Sequence, residues 1–235
     1  MKKTIIFKKF TWWILALCIV SVPFFYWARN HYMTTTDIGV VINGVKWATH
    51  NVNVPGTFTA SLKTPGMFYQ WDKKVGWSTT DPLVSFNGKT EWDNNVSNEV
   101  NNFELEEWDG IQDTILIEWK AENDPCPCGW RLPTTKELLS LLDTTKVISE
   151  EGSVYGINGR RYTDKKNGNM LFLPAVSYRS KNGFLFQTYC IGLYWSSTAS
   201  ENSGAYSLLI FENGNYILQG SSLGEGHSVR CVADE

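Results

Sequence analysis

The twenty residues from Asn123 to Leu142, NDPCPCGWRLPTTKELLSLL, hold the strongest local structural signals in this chain. Thr134 and Glu137 have the spacing of a capping box, in which a hydroxyl and a carboxylate satisfy the first free N–H groups of a helix. Pro133 disfavours helical backbone angles at the residue before it, so the helix start is marked twice. The segment predicts one short amphipathic helix over about residues 134–143, whose apolar face comes from Leu138, Leu139, Leu141 and Leu142.

The rest of the chain beyond residue 36 consists of short apolar segments separated by turn-forming residues. Asn43-Gly44 is a strong signal for a two-residue hairpin turn between Ile38–Ile42 and Val45–Ala48. The remaining predicted strands are Phe68–Trp71, Ile111–Trp119, Val154–Ile157, Arg160–Thr163, Met170–Val176, Tyr206–Phe211, Tyr216–Leu218 and Val229–Val232. Pro174 predicts an edge strand or a bulge, because proline cannot donate to a sheet. One helix and many strands predict an α+β fold with twisted antiparallel sheets.

The first 36 residues predict a membrane segment. Four lysines precede residue 11, and residues 11–28 are uncharged and mostly apolar. A stretch of this length lies at the lower limit of what crosses a hydrocarbon core of about 30 Å. Lysines on one side of it predict a cytoplasmic N-terminus. We therefore expect a transmembrane helix in residues 1–36 and a single exported domain in residues 37–235.

The segment can be a cleaved signal peptide, a lipoprotein signal or an uncleaved signal anchor. A cleaved signal peptide has small residues at two positions before the cleavage site, and Tyr26-Trp27-Ala28 provides one of them. A lipoprotein signal has a small residue before its cysteine, whereas Leu17 precedes Cys18. An uncleaved signal anchor needs no cleavage site and is favoured. All three fates place residues 37–235 outside the cytoplasm, in the cell envelope.

The charge distribution disfavours nucleic acid as a partner. Five of the 21 basic residues and none of the 24 acidic residues precede residue 37. The remainder therefore has 16 basic residues against 24 acidic ones, a net charge of −8. An acidic surface repels a phosphate backbone, and the basic residues form no stripe along the sequence.

The predicted exported domain contains four cysteines, which are Cys126, Cys128, Cys190 and Cys231. Outside the cytoplasm an even number of cysteines favours disulfides, and four allow three connectivities. A zinc site is the alternative. It is disfavoured because structural zinc sites space their cysteines by two to four residues, and because only His50 and His227 lie in this region.

The other candidate motifs point to no catalytic or cofactor site. Ser196-Ser197 lacks the glycines of a nucleophile elbow, so Trp195 is expected in the core and the serines in a turn. Trp92-Asp93-Asn94 is similar, in reversed order, to a calcium-binding tripeptide of C-type lectins. The acidic segment Asp93–Asp109 has the oxygen ligands that calcium takes but not the spacing of an EF-hand, and a solvated loop is favoured over a calcium site.

Six sequence blocks in consistent order carry a family resemblance. They are Gly66–Lys74 (GMFYQWDKK), the NDPCPCGWRLPTTKE segment, Leu171–Arg179, Gly192–Ser200, Ala205–Gly214 and His227–Val232. Together they resemble the Fibrobacter succinogenes major paralogous domain family, a module of envelope proteins in the Bacteroidetes and their relatives. The resemblance extends from about Ile38 to Val232. It implies a fold of the C-type-lectin-like and sulfatase-modifying-factor group, and the family itself has no agreed biochemical activity.

The same resemblance implies a disulfide pairing. Family members place cysteines where Cys126 and Cys231 stand, so these two are expected to form a bridge. That pairing leaves Cys128 and Cys190 for a second bridge. The reactive cysteine pair with which sulfatase-modifying enzymes hold a metal is not identified in this sequence.

These observations predict a non-catalytic, envelope-anchored domain that displays a binding surface to a glycan or an envelope protein. Trp92 and Trp108 are the candidates for stacking on sugar rings, although packing in the core is favoured for either one alone. The alternatives are a sulfatase-modifying-factor-like enzyme, an unrecognised hydrolase, and a structural subunit of a surface appendage. An enzyme of redox or metal type needs an accessible thiol, whereas a display domain is expected to have none.

Overall fold

Short antiparallel strands joined by tight turns make up most of the structure. The computed structural model describes residues 37–94, 118–186, 190–200, 204–211 and 214–234. Within these ranges lie one α-helix, α1 (Thr135–Ser140), and a 3-10 turn at Ala121–Asn123. The strands are β1 (Val40–Ile42), β2 (Val45–Trp47), β3 (Phe68–Tyr69), β4 (Gly76–Trp77), β5 (Trp130–Arg131), β6 (Val147–Val154), β7 (Ile157–Asp164), β8 (Met170–Pro174), β9 (Tyr178–Arg179), β10 (Leu185–Phe186), β11 (Ile191–Ala199), β12 (Ala205–Phe211), β13 (Gly214–Ser221), β14 (His227–Ser228) and β15 (Val232–Ala233). The prediction of a β-rich fold with one helix is confirmed.

The largest sheet has six strands in the order β13-β12-β11-β14-β3-β4. Its long members, β11, β12 and β13, form an antiparallel meander of successive neighbours. β14 pairs with β11 in the parallel direction through Tyr194 and Ser228. The antiparallel sheets that the sequence predicts are present, with this one parallel pair among the described strands. The chain from β12 to β14 returns to the far side of β11, and this longer connection permits the parallel arrangement.

The four-stranded sheet, β1-β2-β15-β5, joins the start of the described chain to its end. The predicted turn at Asn43-Gly44 is confirmed, since both residues have positive φ angles (49° and 81°) and join β1 to β2. Trp47 pairs with Val40 on one side and with Val232 of the last strand on the other.

The predicted last strand, Val229–Val232, is interrupted in the structure. Only Val232 belongs to β15, while Arg230 lies between β14 and β15 with its side chain fully buried. The Arg230 guanidinium donates to the carbonyl oxygens of Ala48 and Thr49 and to Asn51 Oδ1. Burial lowers the pKa of Arg230 to about 10, so the side chain remains charged at neutral pH. This buried cation ties the segment between β14 and β15 to the residues that follow β2.

A third sheet consists of β6, β7 and β8, with β8 at one edge as Pro174 predicted. The strands predicted at Val154–Ile157 and Arg160–Thr163 imply a turn at Asn158-Gly159, and this is wrong, because the turn between β6 and β7 is at Tyr155-Gly156, both with positive φ. Gly159 lies within β7 for a steric reason. A Cβ atom there would be 2.2 Å from the carbonyl oxygen of Leu173, closer than a side chain tolerates.

Helix α1 begins where the sequence predicts and ends earlier. Thr134 is the N-cap residue, and its backbone N–H donates to Glu137 Oε2 at 2.7 Å, which completes the capping box. Leu138 and Leu141 are buried, whereas Leu139 is 48% exposed. The Asp143 carboxylate accepts hydrogen bonds from the backbone N–H and the hydroxyl of Thr145. This local turn competes with further helix, so α1 stops at Ser140 instead of residue 143.

Two apolar clusters fill the interior of residues 37–234. The first packs α1 against β1, β2, β8 and β12, and it contains Ile42, Trp47, Leu138, Leu141, Leu173, Tyr194, Leu208 and Val232. The second surrounds Cys231 and contains Tyr69, Trp71, Trp119, Leu132, Trp195 and Val229. Strand β11 supplies Tyr194 to the first cluster and Trp195 to the second, because neighbouring side chains of a strand point to opposite faces.

Candidate binding surface

The disulfide implied by the family resemblance is present. Cys126 and Cys231 are joined with a Cα–Cα distance of 6.1 Å. Asp124 positions the loop that carries Cys126, because its carboxylate accepts from the backbone N–H of Cys126 at 2.8 Å and of Leu132 at 3.0 Å. The bridge therefore fastens the loop before β5 and α1 to the segment before β15. In this bridge the Cys126 sulfur is bonded to Cys231 and is not a free thiolate.

The second bridge predicted for Cys128 and Cys190 is absent, and both residues are exposed free thiols. Their places in the fold explain this. Cys128 lies two residues from the Cys126–Cys231 bridge, whose Cys126 packs against the second apolar cluster. Cys190 precedes the start of β11 and lines a cavity with Ala175 and Ile210, which belong to the first cluster.

Trp92 is a core residue, which is the role that the sequence favours for it over sugar stacking. Its ring is 7% exposed and lies 5.1 Å from the ring of Trp77, and its Nε1 donates to the carbonyl oxygen of Lys181 at 3.0 Å. The close approach of Gly183 and Gly226 leaves room for the indole, since a Cβ on either residue would lie within 3.1 Å of it. Trp108, the other candidate, lies outside the described residues.

The remaining sequence-predicted features have mixed outcomes. Trp195 is fully buried as expected, but Ser196 lies inside β11 instead of a turn, and its Oγ is 2.9 Å from the hydroxyl of Thr135. Of the proposed calcium segment only Asp93 and Asn94 are described. Among the described residues, no group of three or more His, Cys, Asp or Glu side chains is placed to hold a metal ion.

The predicted membrane segment, residues 11–28, also lies outside the described ranges. Within those ranges, no helix has both the length and the apolar character needed to cross a bilayer.

The structure presents a group of exposed aromatic side chains that sequence reasoning missed. They lie on the hairpin of β9 and β10, where Phe184 is 72% exposed and Phe186 is 45% exposed. The rings of Tyr178 and Phe186 stack directly across the hairpin, 4.7 Å apart and 6° from parallel. We call Tyr178, Phe184, Phe186 and Glu225 the aromatic hairpin surface. The sequence contained one usable signal for it, the Asn182-Gly183 turn between two short apolar segments.

Arg179 is a residue of β9 whose buried side chain, 1% exposed, holds this hairpin to the interior. Its five N–H groups make five hydrogen bonds to the hairpin turn and to the loop of residues 78–81. Two of the strongest go to Gly183 O and Thr80 O, each at 2.8 Å, and one goes to the carboxylate of Asp81 at 3.1 Å. A fully satisfied guanidinium holds the exposed rings on a rigid base.

A charged group borders the aromatic rings. The Glu225 carboxylate lies 3.1 Å from His227 Nε2, and its side chain is 26% exposed. Burial raises the pKa of Tyr178, and the nearby negative charge of Glu225 raises it further. The surface therefore places a hydrogen-bond acceptor next to two stacked rings.

His227 supports this surface from the interior. The imidazole is fully buried and stacks on Trp195 at 3.8 Å, and its edge contacts the ring of Tyr178 at 6.0 Å. Burial lowers the pKa of His227, although Glu225 acts in the opposite direction, so the ring is neutral at neutral pH. A buried imidazole that donates to Glu225 cannot reach a substrate. We therefore assign it a positioning role.

Comparisons of the chain with protein-family models, with curated protein sequences and with solved structures find no match in any of the three. The class of the protein therefore follows from its own geometry. The described residues between 37 and 234 define a β-rich domain with one helix and a disulfide. A stacked pair of aromatic rings lies on its β9–β10 hairpin, with a carboxylate beside it.

Proposed function

We propose that residues 37–235 form a non-catalytic binding domain, held at the cell envelope by a signal anchor in residues 1–36, which presents the aromatic hairpin surface to a glycan. The proposal includes a C-type-lectin-like fold and membership of the Fibrobacter succinogenes major paralogous domain family. The sequence blocks that carry the resemblance, the single helix and the Cys126–Cys231 bridge support it.

The observation that carries the proposal is the stacked pair of Tyr178 and Phe186 beside Glu225. Apolar faces of sugar rings pack on aromatic side chains, and sugar hydroxyls donate hydrogen bonds to carboxylates. Phe184 extends the aromatic area, and the anchored guanidinium of Arg179 limits the conformational entropy lost on binding. These are the features of a site that recognises neutral or basic oligosaccharides.

The test is binding of the full-length chain, in detergent, to an array of diverse oligosaccharides. Phe184→Ala and Phe186→Ala should each weaken binding roughly 2- to 12-fold, the effect of about 0.5–1.5 kcal/mol per aromatic contact. Tyr155→Ala is the matched control, since Tyr155 is 69% exposed on the β6–β7 turn. Glycan binding that survives both phenylalanine substitutions would remove the hairpin from consideration. Absence of binding to every glycan would exclude this ligand class.

A second candidate function is an enzyme of the sulfatase-modifying-factor type. One observation favours it: Cys128 and Cys190 are exposed free thiols. A redox or metal enzyme needs an accessible thiol, whereas a domain that only displays a binding surface does not. Cys190 lines a cavity that Cys128 does not border, and Cys128 lies beside the Cys126–Cys231 bridge, which argues against a shared metal or redox site. Oxygen consumption with thiol-containing peptides, measured for the full chain and for Cys128→Ser and Cys190→Ser, tests this alternative.

A further inference from the structure

A cavity of about 250 Å³ opens between the sheet β6-β7-β8 and strand β12, away from the aromatic hairpin surface. Its apolar wall contains Ala175 and Ile210, and its polar side contains Arg160, Glu151 and Asn158. The thiol of Cys190 also lines it. Cavities that hold drug-sized ligands are generally larger, so the volume indicates a small ligand.

Arg160 brings an incompletely satisfied positive charge to this cavity. The side chain is 9% exposed, and its partners are all neutral: Ser149 Oγ at 2.8 Å, Ser149 O at 3.2 Å and Phe211 O at 3.4 Å. These bonds use three of the five N–H groups of a guanidinium. Arg160 forms no ion pair with any acidic side chain that the structure describes. Arg179, by contrast, uses all five N–H groups and has a carboxylate partner.

Glu151 contributes the opposite charge. It is the direct cross-strand partner of Arg160 on the same face of the sheet, yet across the described ranges its carboxylate makes no ion pair. Side chains in this relation have Cβ atoms about 4.5–5.5 Å apart, which is close enough for one small molecule to contact both. A simple anion would be attracted by Arg160 and repelled by Glu151. A molecule with both charges would satisfy each group.

We propose that this cavity binds a small zwitterion of amino-acid or dipeptide size. Its carboxylate pairs with the guanidinium of Arg160 in the bidentate geometry that this side chain favours. Its ammonium group pairs with the carboxylate of Glu151, and its side group packs on Ala175 and Ile210. The site is separate from the glycan surface, and the proposal does not depend on it.

Cys190 provides a direct readout, because a ligand in the cavity shields its thiol. The rate of iodoacetamide alkylation is measured on the full-length chain in detergent, and peptide mapping by mass separates Cys190 from Cys128 and Cys18. Cys128 is the internal control, since it is exposed and does not line the cavity. The probes are alanine and alanyl-alanine, compared with propionate and ethylamine, which each lack one of the two charges.

Alanine or alanyl-alanine at roughly 10 mM, ten times a Kd of about 1 mM, should slow alkylation of Cys190 by about tenfold and leave Cys128 unchanged. Propionate and ethylamine should protect far less. Glu151→Gln, at an exposed position, should raise the Kd of alanine roughly tenfold, so that roughly 10 mM alanine slows alkylation only about twofold, without lowering the melting temperature. Arg160→Lys should retain partial protection, because it keeps the charge and loses the bidentate geometry.

Two results would overturn the proposal. One is an alkylation rate at Cys190 that none of the probes changes relative to Cys128. The other is protection by propionate equal to that by alanine, which would mean that the cavity binds anions without regard to an ammonium group. Glycan binding by the same preparation is measured in parallel, and its presence or absence bears only on the aromatic hairpin surface.

Discussion

Replacing both members of the Cys126–Cys231 bridge by alanine should lower the stability of the domain more than any single surface change. The bridge closes a loop with a sequence separation of 105 residues. In the chain-entropy model, closing a loop of about this length contributes about 4.7 kcal/mol to the free energy of unfolding. That is a large part of the roughly 5–15 kcal/mol typical of a whole domain. Cys231 is fully buried, so losing its sulfur removes apolar contacts as well.

The assay is urea and thermal unfolding of the full-length chain, followed by near-ultraviolet circular dichroism of its tryptophans. The Cys126→Ala/Cys231→Ala variant should melt about 10–20 °C lower, at roughly 2–4 °C per kcal/mol for a domain of this size. Cys128→Ala is the matched control, because this thiol is exposed and free. If the double variant unfolds within about 1 kcal/mol of the parent, the loop-closure reasoning is refuted.

Two further predictions concern local hydrogen bonds. Burial tends to raise the pKa of Asp37, but hydrogen bonds from His50, Gly39 and Thr49 outweigh it and lower the pKa to about 2. The resulting stabilisation, about 2 kcal/mol, is present above pH 4 and lost as the pH falls towards 2. Asp37→Asn should therefore lack this stabilisation at neutral pH, and its free energy of unfolding, from urea titrations, should fall less between pH 4 and pH 2 than that of the parent. The same fall in both proteins would contradict the role given to Asp37. Thr134→Ala removes the N-cap of α1 and should lower the free energy of unfolding by about 1 kcal/mol in the same assay. Thr134→Ser keeps a capping hydroxyl and should retain most of that stability.

Features that depend on neighbouring residues could be predicted from the sequence. The capping box of Thr134 and Glu137 and the turn at Asn43-Gly44 are formed by groups within a few residues of each other, and both are present. The Cys126–Cys231 pairing joins distant residues, and only the family resemblance indicated it.

Features that depend on distant contacts could not be predicted in this way. The turn at Tyr155-Gly156 was missed, because Asn158-Gly159 is the stronger local signal. A glycine is needed at position 159 not for a turn but because the carbonyl oxygen of Leu173 in the neighbouring strand leaves no room for a Cβ atom. Trp92 lacked any local signal of burial, since the residues that enclose it lie about 90 and 130 positions away in the chain. The candidate site was missed for the same reason, because Arg179 anchors its hairpin to the loop of residues 78–81.

The placement of β15 between β2 and β5 imposes an order on synthesis. A chain leaves the ribosome from its N-terminus, so the β1–β2 hairpin emerges early, while Val232, the partner of Trp47, emerges about 185 residues later. Until then one edge of β2 is unpaired and the side chains around Cys231 lack part of their packing. Nascent chains that stop a few residues short should therefore fail to close this sheet, and they would expose a hydrophobic edge to chaperones and proteases. Completion of the four-stranded sheet therefore depends on β15, which comes last of its four strands in the sequence.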